Sequence, residues 1–291
     1  MPNSPALARA SDIAPVDPPV ITPPVDPGRA AMLVEFGVKR HARVVLARLR
    51  ATARKTARAG LRRRGNGAPL RSVYGVDLVA NFRDKTFRYC LYGTYGTYFS
   101  DFLKRQRQPF AFLDIGANQG LYSLIAGTNP ACTQVLSFEP VGRTHALLGA
   151  NLAVNGLSGK ARAINAGVSD RGGTAAICVK PGHSGVASLD RPGSDGFGGT
   201  ETITLVSGTD VAGLVGGTEP VIVKIDVEGH EATVVRALAA SPLIDRVAAV
   251  FYEMDERWAD AAAVEATLRA AGFTRFRKHG LGRHYDVMAL R

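Results

Sequence analysis

The chain has 291 residues, 46% of them hydrophobic and 21% charged. These proportions fit one large folded domain, or one domain with appendages, and exclude collagen-like, mucin-like and wholly disordered chains. The formal net charge of +11 has a single source, because eleven Lys and Arg and no acid lie between Lys39 and Arg64. A basic appendage on a neutral body is expected, which is a different object from a basic domain.

No window reaches the ~18 uncharged apolar residues that a membrane-spanning helix needs. The start also lacks the charged-then-apolar pattern of a secretory signal. Cys90, Cys132 and Cys178 are odd in number, far apart, and form no CxxC pair. This argues against a disulfide framework or zinc knuckle, and for partly buried thiols in a reducing, cytoplasmic setting.

Residues 1–30 form a Pro-rich leader, with prolines at 15, 18, 19, 23, 24 and 27. Each proline fixes φ and removes an amide donor, so the leader is expected to be extended. Residues 31–71 read as a basic amphipathic helix and linker. Ala42, Val45, Leu46, Leu49 and Ala53 fall on one stripe and Arg43, Arg50, Arg54 and Arg58 on another. Such a helix can touch an anionic surface or dock an apolar edge on its own protein. Residues 72–109 form an approach segment. Tyr74–Phe82 alternates like a strand, and Lys85–Leu91 reads as a second strand after a turn at Arg83-Asp84. A short helix is expected up to Leu103.

From residue 110 to 291 strands and helices alternate. Strands are expected over 110–115, 134–138, 162–166, 202–206, 220–225, 247–253, 273–277 and 285–290. Helices are expected over 119–127, 141–154, 229–240 and 258–271. Nearly continuous apolar strands between helices indicate an α/β domain with a mainly parallel sheet covered on both faces. The last two strands suggest an antiparallel hairpin.

Two strand ends carry chemistry. The first is Leu113-Asp114-Ile115-Gly116-Ala117-Asn118-Gln119-Gly120. Its glycines allow a tight turn where ligands of open α/β sheets sit. A dinucleotide loop would have glycine at Asn118 and would not suit Asp114, whose carboxylate repels a pyrophosphate. An acid there suits a ligand with an ammonium group. Glu139, ending the next strand, can accept both hydroxyls of a ribose. S-adenosylmethionine has an amino acid moiety, a sulfonium and a ribose. The second is Ile225-Asp226-Val227-Glu228-Gly229-His230-Glu231, where several titratable groups crowd one strand end. Asp226 could instead cap a helix, and Glu231 could be a first-turn acid against the helix dipole.

These two runs, together with Phe138-Glu139-Pro140 and Asn165-Ala166, resemble the FkbM-type methyltransferases over about residues 74–291. The resemblance implies a class I Rossmann-like fold, S-adenosylmethionine as cofactor, and methyl transfer to a hydroxyl of a sugar, glycan or secondary metabolite. It further implies that Asp114, Gly116, Asn118 and Gly120 hold the methionine end and Glu139 the ribose. Asn165 and Ala166 would flank the adenine, and Asp226 would sit below the methyl donor. An alcohol must lose a proton on methylation, and Glu228, His230 and Glu253 are the groups local chemistry allows. The catalytic set is therefore Asp226, Glu228 and His230. Asp226, Glu228, His230 and Glu253 could also ligate Mg²⁺, but methyl transfer by positioning does not require an ion and none is expected. Of the remaining histidines, His41, His145, His279 and His284 read as structural or exposed. His183 stands in a long Gly-rich loop, 181–200, suited to a substrate wall.

Three other readings compete. A nucleic-acid methyltransferase could use the basic helix as anchor, but the body has no basic–aromatic interleaving and no Pro-Cys nucleophile. The intact Asp114 and Glu139 weigh against a non-catalytic S-adenosylmethionine-binding module. An NAD-dependent dehydrogenase is disfavoured by Asn118.

Overall fold

The computed structural model of the protein describes Leu49, residues 68–187 and residues 198–291. The Pro-rich leader, the expected basic helix apart from Leu49, and most of the Gly-rich loop lie outside these residues.

The body is built on a seven-stranded sheet. Five parallel strands form its centre: β3 (Phe110–Ile115), β4 (Cys132–Phe138), β5 (Ala161–Ile164), β9 (Val221–Ile225) and β10 (Val247–Asp255). The order is β11-β12-β10-β9-β3-β4-β5, with β12 (His284–Leu290) antiparallel between β10 and β11 (Arg275–Leu281). The chain winds outward from β3 on one side through β4 and β5, and on the other through β9 and β10. The reversal leaves a crevice at the carboxyl ends of β3 and β9.

Strand alternation divides the core. Phe110 and Phe112 of β3 and Ile222 of β9 pack on one face of the sheet. Ala111, Leu113, Ile115, Val221, Val223 and Ile225 pack on the other. Truncating a buried phenylalanine such as Phe112 to alanine costs about 3–5 kcal/mol. The faces are covered by α3 (Leu121–Thr128), α4 (Gly142–Val154), α6 (Glu231–Ala239) and α7 (Ala261–Ala270). No described helix is long and apolar enough to cross a membrane.

Outside the sheet, three local expectations change. Lys85–Leu91 is not a strand but lies in helix α1 (Lys85–Tyr92), while α2 (Tyr98–Arg105) follows the expected pattern. Thr, Phe, Tyr and Cys favour strands, but Asp84 caps the helix by accepting from the amides of Thr86 and Phe87. Burial of Thr86, Phe87, Cys90 and Leu91 then gives a helical face. Of Tyr74–Phe82 only β2 (Asp77–Val79) is a strand. It pairs with β1 (Pro69–Arg71), which the sequence places in the linker.

The strand expected at 202–206 belongs to a separate three-stranded sheet, not to the central one. There β8 (Gly199–Ser207) lies between β6 (Gly167–Ser169) and β7 (Gly173–Val179). β6 carries no apolar run, whereas β7 holds the run Ala175-Ala176-Ile177-Cys178-Val179, which lies outside the strands expected from the sequence. A further helix, α5 (Gly208–Leu214), starts at a capping box formed by Ser207 and Asp210.

The turn after β7 is pinned to α1. The Ser184 amide donates to Asp84 Oδ2 at 3.0 Å and the Gly185 amide to Thr86 Oγ1 at 3.0 Å. These bonds carry His183 and Ser184 over the carboxyl edge of the central sheet.

Candidate active site

A cavity of about 270 Å³ opens at that edge, roofed by α1, the pinned turn and the small sheet. Its floor is made by the loops after β3, β4 and β9. Gly116 has φ +73°, and a Cβ there would stand 1.8 Å from the Asp226 carbonyl oxygen. The Asp226 amide also donates to the Ile115 carbonyl at 3.1 Å. Only glycine lets the two loops approach this closely.

Glu139 is 5% exposed, and both its oxygens accept backbone amides: Asn118 at 2.9 Å and Val141 at 3.0 Å. Burial raises its pKa to about 7 despite those bonds. Asn118 and Glu228 are the two non-glycine residues with positive φ among the described residues, at +50° and +54°. Both line the cavity. Such backbone persists where the surroundings over-determine it, as at ligand sites.

Below the floor runs a polar row. Asp114, Ser137 and Lys224 are neighbours across β3, β4 and β9 on one face of the sheet. Asp114 Oδ2 accepts from the Ser123 hydroxyl at 2.6 Å and the Ser123 amide at 3.1 Å. Lys224 Nζ donates to the Gly116 carbonyl at 2.6 Å. It lies 3.3 Å from Asp114 Oδ1 and 3.5 Å from Asp226 Oδ2. One buried cation thus ties the first loop to the second.

At the far end of the cavity, Asp226, Glu228 and Glu253 each bring a carboxylate oxygen within 4.8 Å of the others. Burial and the Asp226 charge raise the pKa of Glu253 to about 7. His284 Nε2 lies 2.9 Å from Glu253 Oε1, and this bond raises the pKa of His284 to about 9. Tyr89, Tyr95 and His183 also line the cavity, with Tyr89 edge-on to both other rings. The Glu139 end is apolar, walled by Pro140, Val168, Ile177 and Ile203.

Of the residues singled out in the sequence, the cavity brings together Gly116, Asn118, Glu139, His183, Asp226, Glu228, His230 and Glu253. His230 Nε2 is 3.1 Å from the Ser169 hydroxyl. Five others lie behind the wall. Asp114 is 1% exposed in the polar row. Gly120 caps α3 with φ +86° and faces Leu148. Asn165 donates to the carbonyls of Glu139 and Pro140, bracing that turn, and Ala166 is buried beside it. Glu231 accepts from the amides of Val227 and Gly229 at 3.1 Å and so shapes the second loop.

Sequence reasoning missed Lys224, His284, the tyrosines of α1 and its following loop, and the small sheet's apolar wall. Two signals were present: Lys224, as a charge within the apolar run Val221-Ile222-Val223-Lys224-Ile225, and the apolar run Ala175–Val179 of β7.

The family described as methyltransferase FkbM domain matches residues 114–275. No curated protein matches the chain. Similar solved structures include methyltransferase FkbM from Methylobacillus flagellatus KT, at 13% identity and TM-score 0.43, covering 74% of this chain and 56% of that one. The chain therefore spans little more than half of that relative's length. Others are the ribosomal protein L11 methylase from Lactobacillus delbrueckii subsp. bulgaricus, at 12% identity and TM-score 0.40, covering 68% and 79%. The METTL16 methyltransferase domain follows at 11% identity and TM-score 0.45, covering 75% and 74%.

Proposed function

With more than half of its length matched, the chain belongs to the methyltransferase FkbM domain family, and we propose that it methylates a hydroxyl of a sugar, glycan or secondary metabolite. Its cofactor is S-adenosylmethionine. The observation that carries the proposal is that one cavity gathers a buried carboxylate, apolar side chains, a cluster of three carboxylates and aromatic rings.

The residues present fit that cofactor. Glu139 keeps lone pairs beyond its two amide bonds, which suits a pair of ribose hydroxyls. Pro140, Val168, Ile177 and Ile203 suit a flat apolar base. Gly116 and Asn118 give a close backbone approach for the methionine end. Asp114 and Gly120 would act one layer behind, through Lys224 and the start of α3, and Asn165 and Ala166 would hold the Glu139 turn.

S-adenosylmethionine, when bound, supplies a methyl group on a positively charged sulfur. The chain's own part is to orient the acceptor oxygen, exclude water and take a proton. Asp226, Glu228 and His230, together on the second loop, are the catalytic edge, with Asp226 held in place by Lys224. No metal is required by this arrangement. Three free, buried cysteines suit a reducing cytoplasm.

Calorimetric titration with S-adenosylhomocysteine, with NAD as control, tests the reading. The first should bind and the second should not. Loss of charged hydrogen bonds costs ~1.5–3 kcal/mol, so Glu139→Ala should weaken binding by roughly ten- to a hundred-fold. Unchanged affinity in that variant would remove Glu139 from the site. Every cavity residue lies from Thr86 onward, so a chain lacking residues 1–67 should bind equally well.

A further inference from the structure

The catalytic edge contains several acids, and their surroundings differ. Asp226 is paired with Lys224. His230 is engaged by Ser169. Glu253, on β10, enters the same cavity and is the carboxylate there that contacts a histidine at hydrogen-bond distance. That histidine, His284, opens β12; the register sets Asp286 across from Glu253 and His284 across from Asp255, so the His284 ring reaches Glu253 diagonally on the same face. The Glu253 side chain is 23% exposed and His284 is 55% exposed, so the pair runs from the cavity to solvent.

We propose that Glu253 is the catalytic base that takes the acceptor's hydroxyl proton, and that His284 is the positioning residue that keeps Glu253 ionised and returns the proton to water. This rests on the methyltransferase reading above. The balance is simple. The acceptor O–H bond breaks as the oxygen–methyl bond forms, and the electron pair of the old sulfur–carbon bond stays on sulfur. The proton moves to Glu253. His284 Nε2 takes the proton from Glu253, and Nδ1, 3.6 Å from Asp255 Oδ2, gives one up to water. One proton leaves per turnover.

The surrounding charges support a base poised near neutrality. Asp226 and Glu228 face Glu253 from the loop after β9, and Glu231 from the start of α6. Asp286 faces it from β12, Tyr95 from the loop after α1, and Lys224 supplies the nearby buried cation. His284 in turn meets Asp255 and Asp286. The crowd of acids favours protons on the pair, and the histidine contact opposes that on Glu253. A base works best when its pKa lies near the working pH.

Two measurements on the full chain test this. The first is an NMR titration of the His284 ring in wild type and in Glu253→Gln, with S-adenosylhomocysteine added. His284 should titrate well above an ordinary histidine in wild type and fall back toward the ordinary value in Glu253→Gln. An ordinary midpoint in wild type overturns the proposal whatever the enzyme does. The second is S-adenosylhomocysteine production from S-adenosylmethionine with a panel of hexoses, deoxyhexoses and polyols, followed against pH. Glu253→Gln should lower kcat by ~10²–10⁴-fold while S-adenosylhomocysteine binds unchanged. His284→Gln should move the rising limb of the profile to higher pH, which a merely structural role would not do. Near-full kcat in Glu253→Gln, or an unmoved limb in His284→Gln, overturns the proposal. Wild type that binds neither S-adenosylmethionine nor S-adenosylhomocysteine sinks the methyltransferase reading, and this assignment with it, even if the histidine titrates as expected.

Discussion

Lys224 Nζ lies 3.3 Å from Asp114 Oδ1, with the two side chains only 5% and 1% exposed. The pair joins two adjacent parallel strands near their carboxyl ends, and the same ammonium reaches the Gly116 carbonyl and Asp226. Burying two charges is costly unless they satisfy each other, and removing one partner strands the other. Lys224→Met should therefore destabilise the fold by ~3–5 kcal/mol, read as a lower urea midpoint. Neutralising Asp114 as well should recover part of that loss. A single variant as stable as wild type would show that the pair holds nothing.

The Gly116→Ala change tests the contact between the two loops. Left-handed backbone costs a non-glycine residue ~1–2 kcal/mol. The added Cβ would also stand 1.8 Å from the Asp226 carbonyl oxygen, a backbone atom that cannot swing aside. The variant should melt lower and lose measurable S-adenosylhomocysteine binding. Gly75→Ala is a control, since it shares a positive φ, +85°, but meets nothing within 4 Å. It should cost stability alone.

Stability should fall as pH rises through neutrality. Burial raises Glu139 from an ordinary 4.5 to about 7. Burial, then Asp226, raises Glu253 to about 7, and burial, then Glu253, raises Asp286 from 3.8 to about 8. The folded state therefore binds more protons than the unfolded chain between about pH 4 and 8, and ΔG of unfolding decreases with pH across that window. His284, raised from 6.5 to about 9, acts in the same direction up to that pH. His183, lowered by burial and Lys85, acts in the opposite one. Urea midpoints at pH 5.5, 6.5, 7.5 and 8.5 (on the order of one-unit steps across the window) should decline. Glu139→Gln should flatten the decline. A midpoint that climbs steadily over this range would contradict these shifts.

Trp258 is the chain's single tryptophan, 53% exposed. Its Cβ lies 3.6 Å from where a Cβ on Gly229 would stand, beside Glu228 and His230. Occupation of the cavity should alter the environment of that loop and hence the indole. Tryptophan emission should change saturably with added S-adenosylhomocysteine, at the concentration that calorimetry reports. The change should vanish in Trp258→Phe. A calorimetric isotherm with no emission change would show that the loop does not respond to the ligand.

The sequence alone determined the repeating strand–helix body, the order of its two chemical loops and the place of Glu139. These follow from local rules. Apolar runs of strand length must be buried on both faces, and glycine is needed where the chain turns beneath a ligand. It also led, by resemblance, to the family. Tertiary structure decided the rest. Lys85–Tyr92 became a helix because the Asp84 cap and burial of one face outweighed strand propensity. Asp114 turned from the cavity because the register set it against Lys224, a partner 110 positions later in the chain. The wall built from β6, β7 and β8, and the meeting of Glu253 with His284, depend on pairing between strands. Whether an acid binds a ligand, braces a loop or waits for a proton is set by what stands within a few ångströms. Those neighbours come from elsewhere in the chain.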